Sequence, residues 1–297
     1  MTGSGYRMIA LDMDGTLLTS GKTVHPDSVR DIRYAVDRGI HVVFCTGRGL
    51  AEMRDYLEPL SMVRYAVCVS GALVYDLHGE TDGNVSKSLP SGGSGKNTAA
   101  IGGRTISLRG IPDRNAREIL RVAQQYDAMP QLLTEKESIV RADQISRMGD
   151  YHMAVYQEMY ERLARTTQNI AEELERGGGI AKINLYFRNT EDRERGYREL
   201  QNLPLDFAYA EGTSLEMNAS GVTKASGLKI LADHLGIGMT EVIGMGDAEN
   251  DTQMLRSVGC SVAMGNADER IRAICDLVTD DNDHNGVGKA IRRLCGS

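Results

Sequence analysis

Short apolar runs alternate with helix-patterned stretches at both ends of this chain, and the middle reads differently. Met8–Leu11 is a four-residue apolar run that stops at Asp12. Residues 26–38 carry Val29, Ile32, Ala35 and Val36 at helical spacing, with Pro26 and Asp27 in the first turn and Gly39 just past the end. Residues 40–45 read as a strand, 50–60 as a helix and 66–69 as a strand. The grammar returns late: Leu228, Leu231, Ala232 and Leu235 form an i, i+3, i+4, i+7 stripe ahead of a Gly236 stop. Strands at 242–245, 260–264 and 277–279 follow, with short helices over 251–258 and 288–295. Strands that are apolar along their whole length need cover on both faces. That predicts an α/β fold whose parallel sheet has helices on either side.

Residues 91–103 (SGGSGKNTAAIGG) have the composition of a linker. Beyond them, 112–127 and 160–176 read as helices, the second strongly charged, 182–187 alternates as a half-buried strand does, and 190–203 is helical again. Alternation with helices suggests an antiparallel sheet covered on one face. The expectation is one catalytic core made of residues 1–83 and 209–297, with an α+β domain inserted at 84–208. The length of 297 residues suits two domains.

With 34 Lys and Arg against 41 Asp and Glu, the net charge of −7 argues against coating nucleic acid, which needs basic side chains over phosphates. No apolar stretch approaches the roughly 18 residues of a membrane span, and the N-terminal apolar run is too short for a signal peptide. The five cysteines are odd in number, widely spaced and without a CxxC, which excludes a zinc ribbon or a full disulfide framework. Buried free thiols in a reducing cytoplasm are expected.

Chemistry concentrates where apolar runs end. Asp12-Met13-Asp14-Gly15-Thr16 follows the first. Two carboxylates one residue apart at a strand's carboxyl end can share a cation while one attacks; the plain alternative is a solvated turn. Thr46-Gly47-Arg48 follows the second run, and a hydroxyl and a glycine amide there can both donate to a phosphate oxygen. Lys224 opens a helix, a position more often simply solvated. Gly246-Asp247-Ala248-Glu249-Asn250-Asp251 ends a later run. Acidic residues closing two strands suggest an oxygen-ligand site for a hard cation. Together they fit phosphoryl transfer. Asp12 attacks and forms an aspartyl-phosphate. Asp14 protonates the leaving alcohol and then activates water. Mg²⁺ sits on Asp12, the Asp14 carbonyl and Asp247, and Thr46, Gly47 and Lys224 hold the phosphate.

The pattern resembles the haloacid dehalogenase (HAD) superfamily, and in particular its Cof-type phosphatases with a C2B-like cap. DMDGT, the Thr of CTGR, Lys224 and GDAEND stand in the family's order, joined by SGALVYD, LEMNASGVTKASGL, VAMGNA and DNDHNGVGKAI. The resemblance implies a Rossmann-like core and a mobile α/β cap that closes over the site. It also implies that Asn250 orients the phosphate and that Asp251 supports the metal shell or Lys224. Two departures stand out. Ser70-Gly71-Ala72 replaces the usual Asn-Gly-Ala, and the stretch 91–103 is longer than such a junction needs.

Other signals carry less. GGSGKNT (92–98) lacks the P-loop spacing, since Pro90 stands where a glycine is needed and Asn97 follows Lys96. The six histidines show no ligand spacing. Arg48 has two readings, a substrate contact or an ion pair with a helix carboxylate. The expected function is a Mg²⁺-dependent phosphatase of a small phosphorylated metabolite such as a sugar phosphate. The alternatives are a phosphomutase of the phosphomannomutase type, using the same aspartyl-phosphate, and a binding module without turnover. The completeness of the site argues against the last.

Overall fold

The computed structural model describes residues 5–79, 102–177, 179–209 and 212–296. Its strands are, in chain order, β1 (Met8–Leu11), β2 (His41–Cys45), β3 (Tyr65–Cys68), β4 (Leu73–Asp76), β5 (Arg104–Leu108), β6 (Met129–Leu133), β7 (Ser138–Arg141), β8 (Arg165–Thr167), β9 (Lys182–Tyr186), β10 (Leu205–Ala208), β11 (Ser214–Ala219), β12 (Val242–Gly246), β13 (Cys260–Ala263) and β14 (Leu277–Val278). They form two sheets, ordered β14-β13-β12-β1-β2-β3-β4-β5 and β10-β11-β9-β6-β7-β8.

The first sheet is parallel from β14 to β3 and antiparallel at β4 and β5. Its middle is apolar on both faces because both are covered. Ile9 and Leu11 pack with Ile32 and Ile291 on one side, from helices Pro26–Val36 and Gly286–Cys295. Met8 and Ala10 pack on the other with Leu228 and Leu231, from helix Lys224–His234. One four-residue strand thus feeds two core layers by simple alternation.

The second sheet is antiparallel except for the β7–β8 pair. Ile183 and Leu185 of β9 pack with Ile119 and Val122 of helix Asp113–Gln125. The alternate residues Lys182, Asn184 and Tyr186 are buried on the opposite face. That face is polar, which is where a half-buried reading of this strand and its actual burial part company.

One expectation is corrected. The segment 160–176 is not one helix: helix Gln157–Leu163 ends, Arg165–Thr167 becomes β8, and Ile170–Leu174 is a 3₁₀ turn. Thr166 and Thr167 favour the strand, and the charges that read as a helix face are spent on ion pairs such as Arg165–Glu173. Sheet membership also bears on the insertion expected at 84–208. β5 borders the first sheet and β11 lies inside the second, so the chain crosses between sheets after Leu108 and after Ala219, later than 84 and 208. Composition drew the earlier bounds, because the Gly/Ser stretch is conspicuous and the half-exposed RTISL is not. Most of that stretch, 91–101, lies outside the described residues. Finally, β6 and β7 had no sequence expectation: MPQLL contains a proline, and both strands alternate weakly. No helix among the described residues is long and apolar enough to cross a membrane.

Candidate active site

Register brings the motifs together. Leu11 pairs with Phe44 of β2 and with Met245 of β12, so the residues that follow these strands emerge at one sheet edge. Asp12 continues the pairing, its backbone N–H donating to the Met245 carbonyl at 3.1 Å. Thr46 and Asp247 leave the two neighbouring strands beside it. Gly15 turns the chain with φ of 81°, and a Cβ there would stand 2.2 Å from Asp247 Oδ2, so this position needs glycine on both counts.

Lys224 is 2% exposed and donates to Asp12 Oδ1 at 2.6 Å and to Asp251 Oδ1 at 2.7 Å. It arrives at the first turn of its helix, which Thr223 caps by accepting from the Ser226 N–H. Burial works against its ammonium, but the two carboxylates outweigh burial and push its pKa up. Asp251 has no exposed surface, and its Oδ2 accepts from the backbone N–H groups of Asp247 and Ala248. Both of its oxygens are therefore committed to shaping the loop and holding Lys224.

Three carboxylates, those of Asp12, Asp247 and Asp251, offer oxygens within 4.8 Å of one another. Burial pushes the Asp12 carboxyl up, and the charge of Asp251 adds to this against the opposing pull of Lys224. Burial likewise raises Asp247, to about 6, although the Thr16 hydroxyl donates to its Oδ1 at 3.0 Å and resists the shift. Carboxylates crowded without enough positive charge fit a hard divalent cation, and the donor set is all oxygen. Both Asp251 oxygens accept hydrogen bonds and the side chain has no exposed surface, so Asp12 and Asp247 are the carboxylates more open to one.

Asp14 is held differently. Arg48 grips it from Nε at 2.6 Å and Nη2 at 2.8 Å, and Lys22 adds a contact at 2.8 Å. Burial alone would raise its pKa, but the Arg48 hydrogen bond and charge, then those of Lys22, bring it down to about 2. Arg48 thus pairs with Asp14 rather than with a helix carboxylate. Lys22 carried no sequence signal, lying eight residues from its partner in a turn. Thr46 is buried and its Oγ1 accepts from the Arg48 N–H, while Gly47 and the exposed Asn250 border the cavity. Asn266 lies in the VAMGNA motif, which suggested no role for it; its amide donates to the Gly15 carbonyl at 2.8 Å and steadies the Asp14–Thr16 turn.

The cavity above these residues measures about 380 Å³. Its floor is the Asp12 edge of the first sheet and its ceiling is the polar face of the second, from Gln131, Lys182, Asn184, Tyr186 and Glu216. Lys182 donates to Glu216 Oε2 at 2.5 Å and to Ser70 Oγ at 3.3 Å. Ser70, the departure from Asn-Gly-Ala, is therefore a point where the two sheets meet.

Comparison with known proteins agrees with this geometry. The haloacid dehalogenase-like hydrolase family matches residues 9–88 and 93–291. The chain belongs to that family. The phosphatase YwpJ of Bacillus subtilis is 30% identical over 300 residues, covering 97% of this chain and 99% of its own. The 5-amino-6-(5-phospho-D-ribitylamino)uracil phosphatase YcsE of the same organism is 26% identical, over 96% of this chain and 94% of its own. A haloacid dehalogenase-like hydrolase from Bacteroides thetaiotaomicron superposes with a TM-score of 0.79 at 22% identity, over 97% of this chain and 99% of that one. The protein is a HAD-superfamily phosphatase, a phosphoric monoester hydrolase with an α/β fold.

Proposed function

We propose that the protein is a Mg²⁺-dependent phosphatase that hydrolyses a small phosphorylated metabolite through an aspartyl-phosphate on Asp12. The observation that carries this reading is the Asp12–Lys224–Asp251 arrangement at the mouth of β1. Lys224 and Asp251 fix the Asp12 carboxylate in place, leaving it beside the cavity as a nucleophile. Thr46, Gly47 and Asn250 receive the phosphate oxygens, with Lys224 supplying charge from below. Asp14 protonates the leaving oxygen and then takes a proton from the attacking water. In the arrangement described it is ionised and clamped, so its acid role requires it to exchange Arg48 and Lys22 for the leaving group. Asp12, Asp247 and the Asp14 carbonyl would hold Mg²⁺, which offsets repulsion between the nucleophile and an anionic phosphate.

The second sheet with its helices acts as the cap in this reading, and excludes water when closed. The relatives named above, one a ribitylaminouracil phosphate phosphatase, support a small metabolite as substrate. The phosphomutase alternative is disfavoured by the ceiling: a mutase must hold a second phosphate, and Lys182 is already paired with Glu216. The five cysteines are free, and four are buried, which fits a reducing compartment such as the cytoplasm.

The test is hydrolysis of p-nitrophenyl phosphate by wild type and Asp12→Asn, each with Mg²⁺ and with EDTA. Release is expected only from wild type with Mg²⁺, while circular dichroism of the variant stays native. Turnover by folded Asp12→Asn at the wild-type rate overturns the aspartyl-phosphate mechanism, and full activity in EDTA overturns the metal requirement.

A further inference from the structure

The turn that follows β3 runs through three left-handed residues in succession: Val69 with φ of 54°, Ser70 with 57° and Gly71 with 99°. Gly71 has a local reason, since a Cβ there would overlap the Thr223 carbonyl oxygen. Val69 has no such reason. It is the only β-branched residue with positive φ among the described residues, and that conformation crowds its side chain against the backbone. A strained backbone of this kind persists only where its surroundings over-determine it. Here the surroundings are the Thr46–Arg48 loop on one side and the second sheet on the other.

Toward the loop, the Val69 N–H donates to the Arg48 carbonyl at 2.9 Å and the Ser70 N–H to the Thr46 carbonyl at 3.0 Å. The φ of Val69 sets the angle between the peptides that carry these two donors, so reversing its sign would turn one of them away. The Thr46 carbonyl and the Gly47 N–H belong to one planar trans peptide and point opposite ways. Binding that carbonyl to Ser70 therefore aims the Gly47 N–H away from the turn, and Gly47 borders the cavity. Toward the second sheet, the buried Asn218 donates from Nδ2 to the Val69 carbonyl at 3.1 Å. That carbonyl shares its peptide with the Ser70 N–H. Lys182, opposite Asn218 in register, adds a contact to Ser70 Oγ at 3.3 Å. The result is a chain that runs from the Asn218 amide through the Val69–Ser70 peptide to the Thr46–Gly47 peptide. Hydrogen bonds linked head to tail in this way strengthen one another by polarisation.

We propose that Asn218, Val69 and Ser70 are positioning residues for the phosphate, acting through this chain: the second sheet orients the Val69–Ser70 peptide, which orients the Thr46–Gly47 peptide and hence the Gly47 N–H. The inference rests on the phosphatase reading above, in which Gly47 receives a phosphate oxygen. It makes the seating of the second sheet a condition for aiming a phosphate donor on the first. Val69 bears the strain because its carbonyl and the next N–H are the link between the two.

The experiment measures, on the full chain with Mg²⁺, the Ki of inorganic phosphate as a competitive inhibitor of p-nitrophenyl phosphate hydrolysis, together with KM, kcat and the melting temperature. Ki and KM do not depend on the fraction of enzyme that is folded. Asn218→Leu keeps the volume and the sequence of the turn but removes the donor at the head of the chain. It should raise Ki and KM about tenfold, the worth of one well-placed hydrogen bond, with kcat moving less. Ser70→Gly and Ser70→Val both lose the hydroxyl, but glycine accepts the left-handed backbone and a β-branched valine resists it. Ser70→Val should raise Ki about tenfold or more, and Ser70→Gly no more than about threefold. A turn that matters only for folding would lower the melting temperature of these variants and leave Ki unchanged, and that result overturns the inference. Equal rises in Ser70→Gly and Ser70→Val also overturn it, because they assign the effect to the hydroxyl. If Ser70→Val does not fold, Asn218→Leu decides: a raised Ki supports the chain and an unchanged Ki overturns it. These outcomes leave the phosphatase reading standing. No hydrolysis of p-nitrophenyl phosphate by wild type overturns that reading and the inference with it.

Discussion

The floor and the ceiling of the cavity each bury a lysine, and they balance it differently. On the floor, Lys224 faces two carboxylates, with Asp247 nearby, so negative charge is in excess. On the ceiling, Lys182 faces one carboxylate, and amides and phenols complete the network. In the proposed function the floor draws in a cation and then an anionic phosphate. Charge is thus concentrated on the first sheet and neutral hydrogen bonding on the second.

Lys224→Met should break the floor most severely short of removing Asp12, the proposed nucleophile. It leaves Asp12 and Asp251 buried side by side with no cation between them. Removing one partner from a buried charge cluster costs about 3–5 kcal/mol. Urea unfolding of the metal-free protein should report a loss of that size, together with a large drop in turnover of p-nitrophenyl phosphate. A loss below about 1 kcal/mol would mean that the carboxylates shed their charge without difficulty and that the floor is less constrained than its geometry implies.

Gln131→Leu is the matching change on the ceiling. It keeps the volume and removes the amide that orients Asn184, Tyr186 and Glu52. Two or three buried polar groups, the Glu52 carboxylate among them, lose a hydrogen bond but no ion pair is broken, so about 2–4 kcal/mol is expected. The comparison sharpens if turnover of p-nitrophenyl phosphate falls far less here than in Lys224→Met. Equal losses in both variants would mean that floor and ceiling act as one catalytic unit.

The same contrast explains what could be read from the sequence. The floor was legible because each element contributes a short contiguous motif at the end of an apolar strand, and parallel register collects those ends. Asp12, Thr46, Asp247 and Lys224 all meet as the motifs imply. The ceiling was not legible. Gln131, Asn184 and Glu216 lie in mid-strand, one on each of three strands, and their meeting depends on antiparallel register that no local pattern encodes. β9 was visible as an alternating segment, but alternation states only that one face is polar. It does not say whether that face meets water or a buried network. Charge was misleading in the same region, since the strongly charged stretch 160–176 read as one helix while Glu173 is buried against Arg165. Lys22 and Arg48 were opaque for another reason: their partner is Asp14, and long side chains find partners by reach rather than by spacing.

The smallest effect concerns the joint between the two regions. Arg162, from the helix beside the cavity, makes a two-pronged contact with Asp55 of helix Leu50–Leu57, at 3.0 and 2.6 Å. It joins the ceiling's unit to the floor's. The geometry is good, but the side chains are 54% and 46% exposed, and water screens such a pair. Its contribution to stability is therefore at most about 1 kcal/mol, and Arg162→Ala should lower the melting temperature by no more than about 4 °C. Raising the salt concentration should shrink even that difference, because screening acts on exposed charges first. The part-buried Lys182–Ser70 and Gln131–Glu52 contacts cross the same joint with less screening. A much larger fall in melting temperature, insensitive to salt, would show that this exposed pair, and not the buried contacts, holds the two sheets together.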